Sequence, residues 1–170
     1  MKPSRSPRYS RILAAVDPCS SDPEGTALDV KILDLATSLA RLEKSLLHVV
    51  HVWRLPAETV HRGGRTRIPK RKLKEMRAEA RDQSQENLDE LLAGDTLEGL
   101  RHRIHLLEGE PRARIPELAQ QERIDLIVMG TVCRTGIPGF LIGNTAESVL
   151  QQVNASVLTV KPEGFVTPVA

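Results

Sequence analysis

Apolar residues along this chain alternate between two rhythms. Arg11 to Asp17 (RILAAVD) is a short apolar run that ends at an Asp-Pro turn signal, the pattern of a buried strand. From Thr26 to Leu42 the period becomes helical, with Leu28, Ile32, Leu35, Leu39 and Leu42 on one stripe and Leu33, Ala36 and Ala40 widening it. Lys44 to Trp53 is β-branched and apolar, a second strand. Residues 54–70 have no period and carry Pro, Gly-Gly and many cations, so they read as a long loop. A charged helix is predicted from Arg71 to Ala93, with Leu73, Met76, Ala80, Leu88 and Leu91 facing the core. Leu100 to Leu107 reads as a third strand, and Pro111 to Glu122 as a short helix with proline where a first turn tolerates it. Ile124 to Met129 is a fourth strand, Gly130 to Gly143 a Gly-rich loop, Thr145 to Val153 a helix, and Ala155 to Lys161 a fifth strand.

Strands that read as near-continuous apolar runs and alternate with helices predict an α/β fold: an open five-stranded parallel sheet with helices on both faces. Right-handed crossovers leave two strand orders, 3-2-1-4-5 and 2-1-3-4-5. Either order puts a ligand crevice beyond the carboxyl ends of the strands, where the order reverses. In the first, that crevice lies between Asp17 and Gly130.

Composition adds limits. The chain has 170 residues, one domain's worth, and only 2% of them are aromatic, so the core must rest on Leu, Ile, Val and Ala. A formal charge of +2 does not by itself point to nucleic acid. Two cysteines suit a reducing compartment. Residues 1–10 are basic and Pro/Ser-rich with no apolar stretch after them, a disordered lead rather than a secretory signal, and no run is long enough to span a membrane. The expected location is the cytoplasm. Residues 11–161 form the domain and 162–170 a tail.

Several chemical signals are absent or plain. There is no Walker-type loop, no strand-linked Gly-x-Gly-x-x-Gly, no Gly-x-Ser-x-Gly elbow and no evident nucleophile–base pair. The expectation is a non-catalytic protein, and a slow ATPase is disfavoured because Asp17 alone offers itself as a metal ligand. His48, His51, His102 and His105 lie on predicted strands, and a spacing of three points each pair to opposite faces, so they read as half-buried histidines rather than metal ligands. Cys19 and Cys133 both follow strand ends and read either as plain loop thiols or as a redox pair with Arg134 beside one of them. Residues 54–81 hold ten Lys or Arg against three Glu, which without interleaved aromatics reads as a solvated face.

The informative stretch is Gly130-Thr131-Val132-Cys133-Arg134, continuing to Gly143-Asn144-Thr145. A Gly-rich loop entering a helix start presents unpaired N–H groups and a positive dipole end to an anion. The same residues also read as a capping box, with the Asn144 side chain taken up by the N–H of Glu147. The spacing of Gly130, Cys133, Gly143 and Asn144 resembles the universal stress protein signature: Gly, two residues, Gly, nine residues, then Gly and Ser or Thr. The resemblance runs from Arg11 to Lys161 and includes Leu46-Leu47-His48-Val49-Val50 and Glu108-Gly109-Glu110-Pro111. Cys133 stands where that signature has Gly, and Asn144 where it has Ser or Thr; a Cβ at the first obstructs a close phosphate, while an amide at the second still donates to one.

The resemblance implies the order 3-2-1-4-5, a stress-response regulatory role and, often, ATP or another adenine nucleotide. It places phosphate contacts at Gly130, Cys133, Arg134, Gly143, Asn144 and Thr145, and base and ribose contacts at Ala15, Val16, Asp17 and Val49, with Gly109 nearby. It also implies a homodimer, closed by the fifth strand at residues 155–161 as an edge and by the tail with Phe165, Val166 and Val169. Its alternative is a dimeric interaction module of the same fold that uses no nucleotide.

Overall fold

The computed structural model describes residues 9–18, 23–55, 68–131 and 143–161. Five strands, β1 (Arg11–Val16), β2 (Leu46–Trp53), β3 (His102–Glu108), β4 (Leu126–Gly130) and β5 (Ser156–Val160), form one sheet in the order β3-β2-β1-β4-β5. Every pairing is parallel. The helices are α1 (Pro23–Glu43), α2 (Lys70–Leu91), α3 (Pro111–Gln121) and α4 (Asn144–Gln152), with a 3-10 turn at Asp95–Leu97 that the sequence reading does not anticipate. Of the two orders open to the sequence, the fold takes the first.

Alternation along the strands divides the core into two layers. Ile12, Ala14, Val16, Leu47, Val49, Leu126 and Val128 face α1 and α2, where Ile32, Leu33, Ala36, Ala40 and Leu88 complete one cluster. Leu13, Val50, Ile127 and Met129 face α3 and α4 and pack on Ile115, Leu118, Ala146 and Val149. Residues on both faces of the central strands are therefore out of water, which is why those strands are apolar without a break.

Helix α1 is rotated from the predicted stripe. Leu42 is 76% exposed and Leu35 is exposed as well, while Asp29, Ile32, Leu33, Ala36 and Ala40 are buried. The alanines set the contact: with small side chains beneath it the helix sits close to the sheet, and the larger leucines go to its margins. Helix α2 buries only Ser84 and Leu88, so Leu73, Met76 and Ala80 are shallower than expected.

Helix α3 carries Pro116 in its interior. Proline has no N–H, so the carbonyl four residues back, that of Arg112, loses its helical donor. Gln152 of α4 supplies one, with its Nε2 donating to the Arg112 carbonyl at 3.3 Å. A helix defect is thereby turned into a link between the two helices of that layer.

At the amino edge of the sheet, Oδ2 of Asp125 accepts the N–H groups of Ser10 at 2.8 Å and Arg11 at 2.9 Å, tying the start of β1 to the approach to β4. Farther out, the rings of His48 and His105 stack with centroids 5.2 Å apart, and His48 Nδ1 lies 3.0 Å from His105 Nε2. The two histidines of β2 do point to opposite faces, since His51 joins the α1 side. Burial, and after it the neighbouring His105, lower the His48 pKa from 6.5 to about 4, with Glu122 partly opposing. The His105 pKa is lowered too, mainly by burial.

The native state thus resists a proton that the unfolded chain accepts. His48 leaves stability untouched above pH 6.5 and erodes it as pH falls from 6.5 toward about 4. Over that window the loss from this one ring is at most about 3 kcal/mol. Urea unfolding across it should show a falling midpoint in the wild type and a flatter profile in His48→Leu; equal slopes would refute the assignment.

Candidate functional site

All five strands point their carboxyl ends to one edge. From β1 the chain builds outward through β2 to β3, then returns to the other side of β1 for β4 and β5. Connections leave β1 and β4 in opposite directions, which opens a crevice at their carboxyl ends.

Asp17 follows the last residue of β1 at this edge. Its side chain is 56% exposed, with Oδ1 4.0 Å from Nδ1 of the buried His51. Its backbone N–H donates to Oδ1 of Asp29, a buried residue of α1, at 2.9 Å. The His51 ring also meets the Val16 carbonyl at 3.3 Å. A carbonyl only accepts, so Nδ1 is the donor and carries the proton.

Across the crevice, Gly130 ends β4. A Cβ placed on it would stand 2.8 Å from Cδ2 of Leu28, so a bare backbone here lets α1 lie close over the strand end. Thr131, buried, donates its N–H to the Val160 carbonyl at 3.1 Å and accepts the N–H of Gly143 at 2.7 Å. The start of α4 is thereby fixed against the end of β4.

The capping-box reading of this segment is corrected. Gly143, in extended conformation, is the N-cap of α4, no side chain caps it, and Asn144 is the first helical residue. The N–H of Glu147 makes an ordinary helical bond to the Gly143 carbonyl at 3.0 Å rather than to the Asn144 side chain. The amides of Asn144, Thr145 and Ala146 fall in the first turn, where an α-helix has no acceptor of its own to offer them. With the positive pole of the helix dipole behind them, these amides are the kind of group that can receive an anion.

The remaining sequence-derived positions divide. Val16 is buried on the α1 side and Ala15 half-buried on the other. Val49 pairs with Ala14 within the sheet and is fully buried in the α1 layer, so it lies below the crevice floor. Gly109 is two strands away from β1: its φ of 140° lies in the region glycine favours, its N–H donates to the Trp53 carbonyl, and a Cβ would meet Nε of Arg114 at 2.9 Å. That glycine is explained by the turn from β3 into α3. Cys19, Cys133 and Arg134 lie outside the described residues, as do the tail and residues 1–8 of the lead.

Sequence reasoning gives no part in the crevice to Asp29, His51 or Thr131: His51 reads only as a half-buried strand histidine and Thr131 only as a member of the signature stretch. Asp29 could have been noticed as a lone carboxylate within a Leu/Ile/Ala helical face. Among the described residues, no group of three or more His, Cys, Asp or Glu is placed to hold a metal ion. No described helix is long and apolar enough to cross a membrane.

Comparison with known proteins agrees with this architecture. Universal stress protein E of Escherichia coli K12 is 42% identical over 65 residues, which are 38% of this chain and 21% of that one. A functionally unknown protein from Pseudomonas aeruginosa PAO1, PA1789, superposes with a TM-score of 0.68 at 32% identity, over 91% of this chain and 48% of that chain. A universal stress protein solved in complex with cAMP shares the fold, with a TM-score of 0.52 at 17% identity over 91% of this chain and 98% of that one. The chain thus spans about half the length of PA1789. The model of the universal stress protein family matches residues 8–161, and with the sheet order and the crevice in place the chain belongs to that family.

Proposed function

We propose that this protein is a cytoplasmic, non-catalytic regulatory module that holds an adenine nucleotide, ATP foremost, in the crevice between β1 and β4. The carrying observation is the start of α4, where the glycine N-cap offers the first-turn amides no side chain of its own and the helix opens on the same edge as Asp17. The two ends of the crevice suit opposite ends of a nucleotide. Amides and a helix pole attract phosphate, whereas a carboxylate repels phosphate and accepts hydrogen bonds from ribose hydroxyls or a base amino group. A relative of the same fold solved with cAMP supports a nucleotide as the ligand class. Cys133 and Arg134 belong to this proposal through the sequence alone: the arginine adds a cation for the phosphates, and the thiol narrows their approach.

The module works as a homodimer in this reading. On its described side β5 pairs with β4, and Leu158 on β5 is exposed. A second copy laid antiparallel along β5 would continue the sheet and cover this leucine by a two-fold contact. The length of PA1789, of which this chain spans 48%, supports two such units working together.

Protein purified without added nucleotide should release ATP, ADP or AMP on denaturation, or should bind added ATP by calorimetry. Failure of both would leave the nucleotide-free interaction module as the function. Analytical ultracentrifugation should give a dimer at micromolar concentration and a shift toward monomer in Leu158→Lys. A monomeric wild type would overturn the assembly.

A further inference from the structure

Two histidines of adjacent strands meet on the α3 side of the sheet. His48 of β2 and His105 of β3 lie diagonally across the ladder, which pairs His48 with Arg103 and Val50 with His105. Their rings are within 4° of parallel, and Nδ1 of His48 is 3.0 Å from Nε2 of His105. That is hydrogen-bond distance, so one hydrogen and one lone pair occupy the contact. His48 is fully buried, and among the described residues its other nitrogen, Nε2, has no hydrogen-bond partner. His105 is half-buried.

The orphaned nitrogen decides which ring donates. If His105 donated, neutral His48 would carry its hydrogen on Nε2, a buried N–H without an acceptor, which folded chains rarely hold. With the hydrogen on Nδ1 of His48 the contact is satisfied and Nε2 keeps only a bare lone pair. An added proton has no such place. At the contact it sets two N–H groups against each other; relayed to Nε2 it creates the same orphaned donor. The surrounding charges give little help. Arg11 of β1 and Arg103 of β3 oppose a further positive charge, and the one carboxylate that favours it, Glu122 just after α3, is bound to Arg103 at 3.0 Å. Helix α3 itself brings only apolar Ile115, Leu118 and Ala119 to this layer of the core.

We infer that the His48–His105 pair is an acid-released latch on β3, closed while both rings are neutral and forced open by one proton. Strand β3 ends the sheet on its side and pairs only with β2 among the described strands. Its His102, Arg103, Ile104 and Glu108 are exposed, so His105, Leu106 and Leu107 are what it places in the fold. Losing the contact of one of these three therefore weighs heavily on β3, whereas Leu13 and Ile127 are fully buried at the centre of the sheet. Acid should free β3 before the whole sheet unfolds. Burial lowers the pKa of both rings in the closed state, so the latch holds fully above pH 6.5 and loses its grip as pH falls below that. The latch does not depend on the nucleotide reading, because neither ring lies at the crevice between β1 and β4.

The test is amide hydrogen exchange of the full chain at pH 7.5 and pH 5, corrected for intrinsic exchange and repeated in urea below the unfolding transition. Amides of Ile104 and Leu106 should exchange through a local opening that urea hardly affects. Its population should rise about thirtyfold between the two pH values, the linkage of one proton to a ring that titrates at 6.5 when open. Leu13 and Ile127 should instead follow the urea-dependent unfolding of the whole chain. A rise at β3 below about threefold would overturn the latch, the scale at which no proton is linked. So would β3 amides that share the urea dependence of Leu13 at both pH values, since the rings would then burden only the fold as a whole. The double variant His48→Leu with His105→Phe should hold its β3 opening constant between the two pH values; a persisting rise would assign the effect to another group. Nitrogen-15 spectra of the wild type provide a reading that needs no variant: at pH 7.5 His48 should carry its hydrogen on Nδ1, and the Nε2 tautomer would refute the arrangement.

Discussion

Strand β1 has a parallel neighbour on each side and a helical layer on each face, and the rest of the molecule is arranged around that enclosure. Ile12, Leu13 and Ala14 are entirely removed from solvent. Along the strand, the ladders to β2 and β4 satisfy the backbone. At its ends the ladders run out, and side chains take over. Asp125 collects two N–H groups at the amino end, and Asp29 with His51 serves the carboxyl end. The first is structural. The second lies at the carboxyl edge of the sheet, beside the crevice.

The two helical layers meet this core differently. On one side α1 approaches closely through Ala36 and Ala40, and Gly130 lets it reach over the end of β4. On the other, α3 and α4 are joined through Gln152 at the carbonyl that Pro116 leaves without a donor. Toward the β3 edge a stacked histidine pair is set into this second layer, and its cost falls due only in acid. Burial is thus concentrated in the centre of the sheet, while β5, paired with β4, has most of its side chains exposed or half-buried.

Membership in the universal stress protein family accounts for the scaffold and for the place of the crevice. Within that scaffold the crevice is supported by a glycine cap on α4, a threonine that binds the end of β4 to both β5 and α4, and the Asp29 carboxylate that takes the Asp17 N–H.

By itself the sequence determined the alternation of strands and helices, because burial on both faces demands unbroken apolar runs such as Ile12–Ala14 and Ile127–Met129, and these are visible in one dimension. The signature positions Gly130 and Gly143 likewise fall where the sequence reading puts a strand-to-helix junction, Gly130 at the end of β4 and Gly143 at the N-cap of α4. Tertiary structure alone decided the strand order, the face that α1 buries and the partners of Asp17. Leu35 and Leu42 belong to the most hydrophobic stripe of α1, but close packing favours the small residues a quarter-turn away. Val49 and Gly109 sit near Asp17 in the family's pattern, yet one is fully buried in the core and the other makes a turn two strands off. Asp29 and His51 are separated from Asp17 by 12 and by more than thirty residues, and only the folding of α1 and β2 against β1 brings the three together. Contacts that depend on which element lies over which carry no local periodicity, so no reading along the chain could have found them.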